Sequence, residues 1–453
     1  MESTVDRTRL RELMDRELAR FEADHPKSRE LFERSKKNLL AGVPMPWMTE
    51  WAGSFPVFVS EAQGARFTDV DGREYVDLCL GDTGGMTGHS PKESVAAIAE
   101  QAAKGITLML PTEDSIFVGA EMERRFGLPY WQFALTATDA NRFTIRLARQ
   151  ITGRPKILVY SWCYHGSVDE TIIILEDGVP TKRPGNVGPA VDPTETTRVV
   201  EFNDVEALEE ALAHEDVACV LAEPALTNIG IVLPDPGYHD ALRELTRRYG
   251  TYLVIDETHT ICAGPGGATK AWGLQPDFVT IGKPLAAGVP AASYGMSEEI
   301  ARQIEAYMQS VPATDVGGVG GTLSGNALSL AAMRATLEHV LTDEAFERMI
   351  ELGERWNDGV KAAIDAHGLP WNVQRIGCRA DYWFTPTPPR NGGEAAAAED
   401  HELMRFTHLY ALNRRILLTP FHNMALMSPA TTEEDVDAHS RVFDEMASEL
   451  TAR

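Results

Sequence analysis

The prediction of the architecture rests on residues 252–283, which read YLVIDETHTICAGPGGATKAWGLQPDFVTIGK. Two short apolar runs in this stretch, 252–255 and 278–281, contain β-branched residues and are flanked by turn-forming residues. Such runs are typical of buried strands in a parallel sheet. Asp256 follows the first run directly, and Lys283 lies two residues after the second. Because parallel sheets bind ligands at the carboxyl ends of their strands, we expect the carboxylate and the amine at one edge.

Asp256 and Lys283 together suit one cofactor, pyridoxal phosphate. A lysine amine forms a Schiff base with the aldehyde of this cofactor, and an acid pairs with its pyridinium nitrogen. A second interpretation fits the two residues equally well. In it, Asp256 caps the turn after its strand and Lys283 is a solvated surface lysine. The rest of the chain has to separate these interpretations.

The composition narrows the classes of function. The chain has 453 residues, enough for two or three domains with a large core. Its net charge of −25 argues against binding of nucleic acid or anionic membranes, because the field of the molecule repels phosphate. Five scattered cysteines without CxxC spacing predict neither a metal site nor a disulfide framework. The charged N-terminus does not resemble a signal peptide, and no run is long enough to span a membrane. We therefore expect a cytoplasmic protein without metal, nucleic-acid or membrane partners.

The spacing of apolar residues divides the chain into three parts. Residues 1–80 predict amphipathic helices and a strand meander with a hairpin turn at 71–72, as part of a smaller domain. Residues 81–341 alternate strands and helices, which predicts an α/β domain with a large, mostly parallel sheet sandwiched by helices. Residues 342–453 predict helices, strands and a flexible stretch over 385–398, and they complete a smaller α+β domain with the N-terminal part.

Three further segments carry polar or aromatic residues where a predicted strand or loop meets a helix. Thr136, Ala137 and Thr138 stand at a predicted helix start, where backbone NH groups and hydroxyls bind phosphate, although threonines are also ordinary helix caps. Tyr164 follows the next strand and is either a ring that stacks on a planar ligand or a core residue. The glycine-rich loop 317–326 precedes another helix and is a second candidate anion site.

In order and spacing, these segments resemble the class III, fold-type I aminotransferases that depend on pyridoxal phosphate. The likeness is strongest to the branch that contains glutamate-1-semialdehyde aminomutase. It runs from about residue 40 to the C-terminus. The motifs that carry it are TDVDG at 68–72, GHSP at 88–91, YHG at 164–166, AEP at 222–224, DE at 256–257, GK at 282–283 and GTLSGN at 321–326.

The resemblance implies a role for each residue that matches a motif. Lys283 would form the Schiff base with the cofactor and then shuttle the proton of the 1,3-prototropic shift. Asp256 would keep the pyridine nitrogen protonated, which strengthens electron withdrawal by the ring. Tyr164 would stack on the ring, and Asn228 would lie near its 3-hydroxyl group.

Phosphate binding, by the same resemblance, falls to Thr136, Ala137 and Thr138, which match the family's Ser-Gly-Thr. Thr322 matches a threonine that reaches the phosphate from the neighbouring subunit, which implies a homodimer with shared active sites. The family's Ser-Gly-Thr-Glu-Ala is Thr-Ala-Thr-Asp-Ala at 136–140, and this change predicts a tighter phosphate site.

The chain departs from the family pattern around the substrate. Thr258 replaces the usual valine under the ring, and His259 replaces methionine. His259 has an alternative interpretation as a loop histidine without substrate contact. The segment 43–51, where the aminomutase branch has an arginine for the substrate carboxylate, contains no arginine, and neither does the segment 420–424. We therefore predict an apolar, aromatic substrate pocket that includes Trp47, Trp51, His259 and Phe421.

These observations predict a pyridoxal-phosphate-dependent aminotransferase (transaminase) with a ping-pong mechanism. A bulky or aromatic amine or amino acid would donate the amino group, and a keto acid or another carbonyl compound would accept it. An aminomutase of the glutamate-1-semialdehyde type, or a racemase, is the first alternative, because Lys283 serves that chemistry as well. A catalytically silent binding protein with the same fold is the second alternative, suggested by the altered phosphate segment and by Thr258.

Overall fold

The computed structural model describes residues 5–311 and 318–452, and all elements below lie in those ranges. The helices are α1 (Arg7–Asp24), α2 (Pro26–Ser35), α3 (Lys92–Lys104), α4 (Asp114–Phe126), α5 (Ala137–Thr152), α6 (Pro193–Thr196), α7 (Val205–Leu212), α8 (Tyr238–Arg248), α9 (Gly267–Ala271), α10 (Glu298–Ser310), α11 (Ala327–His339), α12 (Asp343–Ala366), α13 (Gly392–Ala398), α14 (His401–Leu412) and α15 (Glu433–Thr451). The strands are β1 (Val59–Gln63), β2 (Arg66–Asp69), β3 (Glu74–Asp77), β4 (Tyr130–Ala134), β5 (Lys156–Tyr160), β6 (Ile173–Glu176), β7 (Val179–Lys182), β8 (Thr197–Val200), β9 (Val217–Ala222), β10 (Tyr252–Asp256), β11 (Phe278–Ile281), β12 (Ala292–Met296), β13 (Asn372–Ile376), β14 (Arg379–Trp383), β15 (Ile416–Leu417) and β16 (Met424–Leu426).

The large unit comprises Lys92–Phe346 and Pro389–Ala397 and is built on a seven-stranded sheet in the order β4-β12-β11-β10-β9-β5-β8. Strands β8, β5, β9, β10 and β11 are parallel, and β12 is antiparallel to both of its neighbours. Helix α5 packs against β4, β9, β10, β11 and β12. The predicted α/β fold with a mostly parallel sheet is therefore confirmed.

The two strands predicted within 252–283 are neighbours in this sheet. Strand β10 pairs in parallel with β11, and Asp256 lies opposite Thr280. Nearly every residue of both strands is buried, as expected for continuous aliphatic and β-branched runs in the middle of a covered sheet. Because the two strands are parallel, Asp256 and the chain leading to Lys283 leave the sheet at the same edge.

The second unit contains the described residues 5–91, 347–388 and 398–452. It has a four-stranded sheet in the order β1-β2-β3-β15 and a three-stranded sheet in the order β13-β14-β16. The predicted hairpin turn joins the antiparallel strands β2 and β3, and Gly72 has a φ of 84°, which favours glycine. Strand β15 pairs in parallel with β3. The N- and C-terminal segments therefore build one α+β unit, as predicted.

The core of the second unit forms around aromatic side chains from both ends of the chain. The buried cluster consists of Phe21, Ala52, Phe55, Phe67, Tyr75, Leu409 and Leu412. His25 joins α1 to this cluster, because its Nδ1 lies 2.7 Å from the carbonyl oxygen of Phe21 and its Nε2 lies 2.7 Å from the hydroxyl of Tyr75.

The stretch 385–398, predicted to be flexible, contains helix α13, and residues 389–397 belong to the large unit. Gly392 makes this possible, since a Cβ at that position would overlap with the carbonyl oxygen of Ser161. The run of alanines at 395–398 favours a helix, which the neighbouring prolines and glycines conceal in the sequence.

Across residues 5–311 and 318–452, no helix has both the length and the apolar character needed to cross a bilayer. In the same ranges, no group of three histidine, cysteine, aspartate or glutamate side chains is placed to hold a metal ion.

Candidate active site

Asp256 ends strand β10 and is buried. Its Oδ2 accepts hydrogen bonds from Nδ1 of His165 and Nδ2 of Asn141, both at 2.9 Å. Its Oδ1 accepts a bond from the backbone N–H of Thr258 at 3.0 Å. Burial acts to raise the pKa of Asp256, but the hydrogen bond and charge of His165, with the bonds from Thr258 and Asn141, lower the pKa to about 2. Asp256 is therefore a carboxylate anion at neutral pH.

His165 is the cationic partner of this carboxylate. Its ring is buried, and burial by itself lowers the pKa of an imidazole. The neighbouring Cys163 and Asp256 outweigh burial and raise the pKa of His165 well above its usual value. The edge of the sheet therefore holds a buried ion pair, with the anion on β10.

Asn141 fixes the position of the carboxylate from helix α5. Its Oδ1 accepts a hydrogen bond from the Thr280 hydroxyl at 2.6 Å, and its Nδ2 also donates to the carbonyl oxygen of His165 at 3.1 Å. Strand β11, helix α5 and the segment after β5 thus converge on Asp256. This network leaves the carboxylate little freedom to rotate.

Lys283 begins a single 3₁₀ turn, Lys283–Ala286, two residues after β11. Its φ is 47°, in the left-handed region that residues with a side chain disfavour. Strain of this kind is concentrated at functional positions. The Nζ atom of Lys283 lies 2.7 Å from Nε2 of His259, on the segment after β10. The amine and the imidazole therefore share a hydrogen bond.

The start of helix α5 adjoins the residue before Lys283. Thr136 is the N-cap, and its Oγ1 accepts a bond from the N–H of Asp139 at 3.1 Å. A Cβ on Gly282 would come within 3.1 Å of the backbone N and the Cβ of Ala137, so the two segments touch. A helix N-terminus presents unpaired N–H groups and a positive dipole end, which suits a phosphate.

The segment after β5 approaches the same helix start. Oγ1 of Thr138 accepts a bond from the N–H of Ser167 at 3.2 Å. Gly166 has a φ of 79°, and a Cβ there would overlap with the Thr138 hydroxyl, so only glycine permits the approach. Tyr164 precedes His165 and is 42% exposed, which leaves its ring accessible to a ligand.

Asn228 lies in a turn after β9, with a bridge to Gly230. Strand β9 is the direct neighbour of β10 and runs parallel to it. Asn228 therefore follows the strand next to the one that carries Asp256.

Thr322 lies in a different environment within the large unit. It lines a surface recess together with Met109, Leu110, Ile116 and Phe133. The side chains of Met109, Leu110 and Ile116 are strongly exposed. Gly317, at the start of the same glycine-rich loop, lies outside the described residues. Within the described part of this single chain, Thr322 lies at a recess with a mixed polar and apolar lining and not in the hydrogen-bond network of Asp256.

The four predicted substrate-pocket residues are divided between the two units. Trp47 and Phe421 of the second unit contact each other edge to face, with ring centroids 5.2 Å apart. Trp51, in the same unit, is partly buried. His259 belongs to the large unit, where its imidazole contacts the Lys283 amine.

Asn141 and His165 have no role in the sequence prediction, although both lie inside predicted motifs. Asn141 lies one turn into the helix that follows the predicted phosphate segment, and His165 is adjacent to Tyr164. The available signal is that each is a polar residue in a segment that follows a predicted strand. Their bonds to Asp256 span 115 and 91 residues of sequence, which local pattern does not reveal.

The family profile described as class-III aminotransferase matches residues 47–380, well over half of the chain. The chain belongs to the class III aminotransferase family. Membership confirms the resemblance in the sequence motifs, and the fold-type I architecture agrees with it.

Several members of this family are similar to the chain over nearly its full length. Glutamate-1-semialdehyde 2,1-aminomutase of Sorangium cellulosum (strain So ce56) is 34% identical over 420 residues, 91% of this chain and 94% of the relative. A solved glutamate-1-semialdehyde aminomutase from Pseudomonas aeruginosa PAO1 is 50% identical, with a TM-score of 0.96 over 98% of this chain and 99% of that one. A solved omega-transaminase from Sphaerobacter thermophilus is 26% identical, with a TM-score of 0.84 over 94% and 98%.

These relatives correct the predicted reaction. The sequence motifs predicted an aminotransferase with separate donor and acceptor, and that prediction is wrong. The relatives at 34% and 50% identity described above are aminomutases, whereas the omega-transaminase is 26% identical. The motifs around Lys283 report the cofactor chemistry that both reactions share, and they do not report the fate of the amino group.

Proposed function

We propose that the chain is an aminomutase that moves an amino group between neighbouring carbons of one substrate, with glutamate 1-semialdehyde as that substrate. The observation that carries the proposal is the 50% identity, over 98% of this chain, with a glutamate-1-semialdehyde aminomutase. In the reaction the amino group moves from C2 to C1 and the carbonyl oxygen moves from C1 to C2. Substrate and product therefore have the same composition, and no second carbonyl compound is consumed.

Pyridoxal phosphate is the cofactor, as the sequence predicted. The family membership supports it, and a lysine-to-alanine variant of the Pseudomonas aeruginosa aminomutase has been solved in complex with PMP, the aminated form of this cofactor. The residues present fit the group. The carboxylate of Asp256 is anionic, the start of α5 presents unpaired N–H groups, and the hydroxyl of Thr258 is buried without a hydrogen-bond partner among the described residues.

The proposed binding roles follow the chemistry of each side chain. Asp256 would pair with the pyridine nitrogen, and Lys283 would bind the aldehyde carbon through Nζ. The helix start at Thr136–Thr138 receives the phosphate, since its N–H groups and hydroxyls donate hydrogen bonds. Tyr164 would cover one face of the ring, and Asn228 would lie near the 3-hydroxyl group.

Two side chains perform the proposed proton chemistry. When bound, pyridoxal phosphate withdraws electrons from the carbon that bears the amino group, which makes the proton on that carbon acidic. Lys283 would accept this proton at Nζ and return it at the other carbon that is bonded to the same nitrogen. Asp256 remains anionic at neutral pH because His165, Asn141 and Thr258 stabilise its charge, so it favours a protonated pyridine nitrogen.

The proposal includes a homodimer with shared active sites. Its support is the recess that Thr322 lines, where Met109, Leu110 and Ile116 are 76%, 72% and 75% exposed. Exposed apolar side chains grouped on one face are typical of a protein interface. A second copy of the chain would cover this face and bring Thr322 to the phosphate site of its partner. Light scattering tests it: Leu110→Glu is expected to shift the mass from dimer to monomer.

A stoichiometric experiment tests the aminomutase. Protein loaded with pyridoxal phosphate is incubated with glutamate 1-semialdehyde without any keto acid, and products are separated and weighed by mass spectrometry. We expect an isomer of unchanged mass. Lys283→Ala should lower the rate by about 10²-fold or more, the usual contribution of a positioned general base. Borohydride reduction should place the cofactor on the peptide that contains Lys283.

The matched control is Lys104→Ala, because Lys104 is an exposed lysine at the end of α3 paired with Glu100. This variant should keep the wild-type rate. Product that forms only after a keto acid is added would contradict the aminomutase, and cofactor trapped on another lysine would contradict the role of Lys283.

A further inference from the structure

The contact between Lys283 and His259 has no role in the chemistry described so far. Nζ and Nε2 are 2.7 Å apart, and the imidazole is 93% buried, since only 7% of His259 is exposed. The two residues follow adjacent strands, β10 and β11, so the sheet register holds them together. His259 also stands directly before the short turn Thr260–Ala263, which limits the movement of its backbone.

The chemistry of the two groups restricts the protons in this contact. A lysine ammonium has three N–H donors and no acceptor, so Nε2 accepts only when the imidazole is neutral, with its proton on Nδ1. If both groups were protonated, two cations would stand 2.7 Å apart in a mostly buried position, which is unfavourable. One proton therefore lies between Nζ of Lys283 and Nε2 of His259, and only one of the two groups is charged.

Two carboxylates close in sequence to the pair have hydrogen-bond partners of their own. The carboxylate of Asp256 accepts hydrogen bonds from His165, Asn141 and the backbone N–H of Thr258. Glu257 faces the other way, where its Oε2 accepts from the Thr260 hydroxyl at 2.5 Å and from the N–H of Ala268 at 3.2 Å. The start of α5, beside Gly282, adds a positive dipole end and no acceptor.

We propose that His259 is a positioning residue for the amine of Lys283. It accepts a hydrogen bond from the ammonium and so stabilises the form that Lys283 takes each time it receives a proton. The inference rests on the proposed role of Lys283 in proton transfer. A proton would move from one carbon to Nζ while another N–H of the resulting ammonium donates to Nε2 of His259. A proton would then leave Nζ for the other carbon bonded to the same nitrogen, so the imidazole gains and loses none.

A pH dependence follows from this role. When acid protonates His259, Nε2 can no longer accept, and the new cation repels the ammonium. Proton transfer through Lys283 should therefore decline on the acid side with the titration of the imidazole. Glutamine at position 259 would keep an acceptor oxygen without titrating, whereas methionine would keep the volume and remove the acceptor.

The contact can be measured without turnover, by competitive acetylation of the cofactor-free full-length chain. Only the neutral amine reacts with acetic anhydride, so the labelling rate of the Lys283 peptide reports its unprotonated fraction. At pH 8 we expect His259→Met to label Lys283 about tenfold faster than wild type, as for loss of a hydrogen bond to a charged group. His259→Gln should stay within about twofold of wild type, since it retains the acceptor. In the enzyme with bound cofactor, the rate of the wild type should fall at acid pH, whereas the rate of His259→Gln should not.

Two internal controls belong to the labelling experiment. The exposed Lys104 should react at the same rate in every variant. His239→Met changes a histidine of the same unit whose Nε2 lies 2.8 Å from the carbonyl oxygen of Pro224, and it should leave Lys283 unchanged. An unchanged Lys283 rate in a folded His259→Met protein would overturn the proposal.

If His259→Met does not fold, the contact can be tested with the variant Lys283→Met instead. Lys283→Met removes the neighbouring cation, so the imidazole of His259, followed by NMR in labelled protein, should become protonated at higher pH than in wild type. The same titration in both proteins would overturn the contact. Neither the acetylation nor the NMR titration uses the cofactor or a substrate. Each can therefore give a clear result even if the proposed aminomutase activity is wrong, and the activity test does not depend on either measurement.

Discussion

Both units bury histidine rings, but the rings differ in charge. In the large unit, Nδ1 of His165 lies 2.9 Å from the Asp256 carboxylate, and the pKa of His165 is raised well above its usual value despite burial. In the second unit, burial lowers the pKa of His408 to about 4. Burial and the charge of His408 lower the pKa of His439 to about 3. These two rings are neutral at pH 7.

The difference teaches that the partner, and not the degree of burial, decides the charge of a buried histidine. His439 packs between aromatic rings, with centroids 5.0 Å from Trp356 and 6.0 Å from Phe443, and such an environment stabilises only the neutral form. A buried ion pair adds little stability over an apolar pair of similar volume. The pair of His165 and Asp256 is therefore better explained by the proposed cofactor site than by folding.

Removing the anion of the charged pair should have the largest effect. Asp256→Ala leaves His165 buried without its carboxylate and should lower the free energy of unfolding by about 3–5 kcal/mol. Asp256→Asn should cost less, because a neutral His165 can still donate its Nδ1–H to the amide oxygen. Urea unfolding of the cofactor-free chain at pH 7 measures both. Asp240→Ala, at an exposed position on α8, should leave the midpoint unchanged, and an equally small effect of Asp256→Ala would contradict the comparison.

Acid should destabilise the protein through the neutral histidines. The folded pKa values of His408 and His439 lie below the unfolded value near 6.5, so their contribution is complete above pH 6.5 and is lost as the pH falls towards 4 and 3. Uptake of two protons on unfolding corresponds to a slope of at most about 2.7 kcal/mol per pH unit. Urea midpoints between pH 7 and 4.5 measure it.

The charged pair should act in other pH ranges, which sharpens the contrast. The raised pKa of His165 means that its contribution is complete below pH 6.5 and is lost as the pH rises through its folded pKa. The lowered pKa of Asp256 affects stability only below about pH 4. Its contribution to the free energy of unfolding is lost as the pH falls from the unfolded pKa, near 4, to about 2. The double variant His408→Gln, His439→Phe should therefore flatten the slope between pH 6.5 and 4.5. An unchanged slope would show that other groups cause it.

The smallest of these effects should come from the support of the charged pair. Thr280→Val removes the hydroxyl that donates to Oδ1 of Asn141, which should cost about 1–2 kcal/mol because a buried acceptor loses its partner. Thr246→Val is the matched control, since its hydroxyl donates to the Leu242 carbonyl within α8, and it should cost less. Equal losses of unfolding free energy in the two variants would contradict a special contribution of the hydrogen bonds around Asn141 to stability.

Much of the site could be predicted because it depends on rules that are local in sequence. Short β-branched runs predict parallel strands, and the structure has β10 and β11 as parallel neighbours, so Asp256 and Lys283 follow adjacent strands. The reaction could not be predicted in the same way. Whether an amino group leaves with a keto acid or returns to its own substrate depends on the shape and closure of the pocket, and the motifs around the cofactor are common to both reactions.

The sequence by itself determined the order of the strands along the chain, the polar residues at their ends and the family with its cofactor. Only the tertiary structure decided which of those residues meet. The sheet order β11-β10-β9-β5 and helix α5 bring Asn141 and His165 to Asp256 across 115 and 91 residues. The same register places His259 on the Lys283 amine. The physical reason is that side-chain hydrogen bonds and pKa values depend on distances of about 3 Å, and those distances arise from packing between segments remote in sequence.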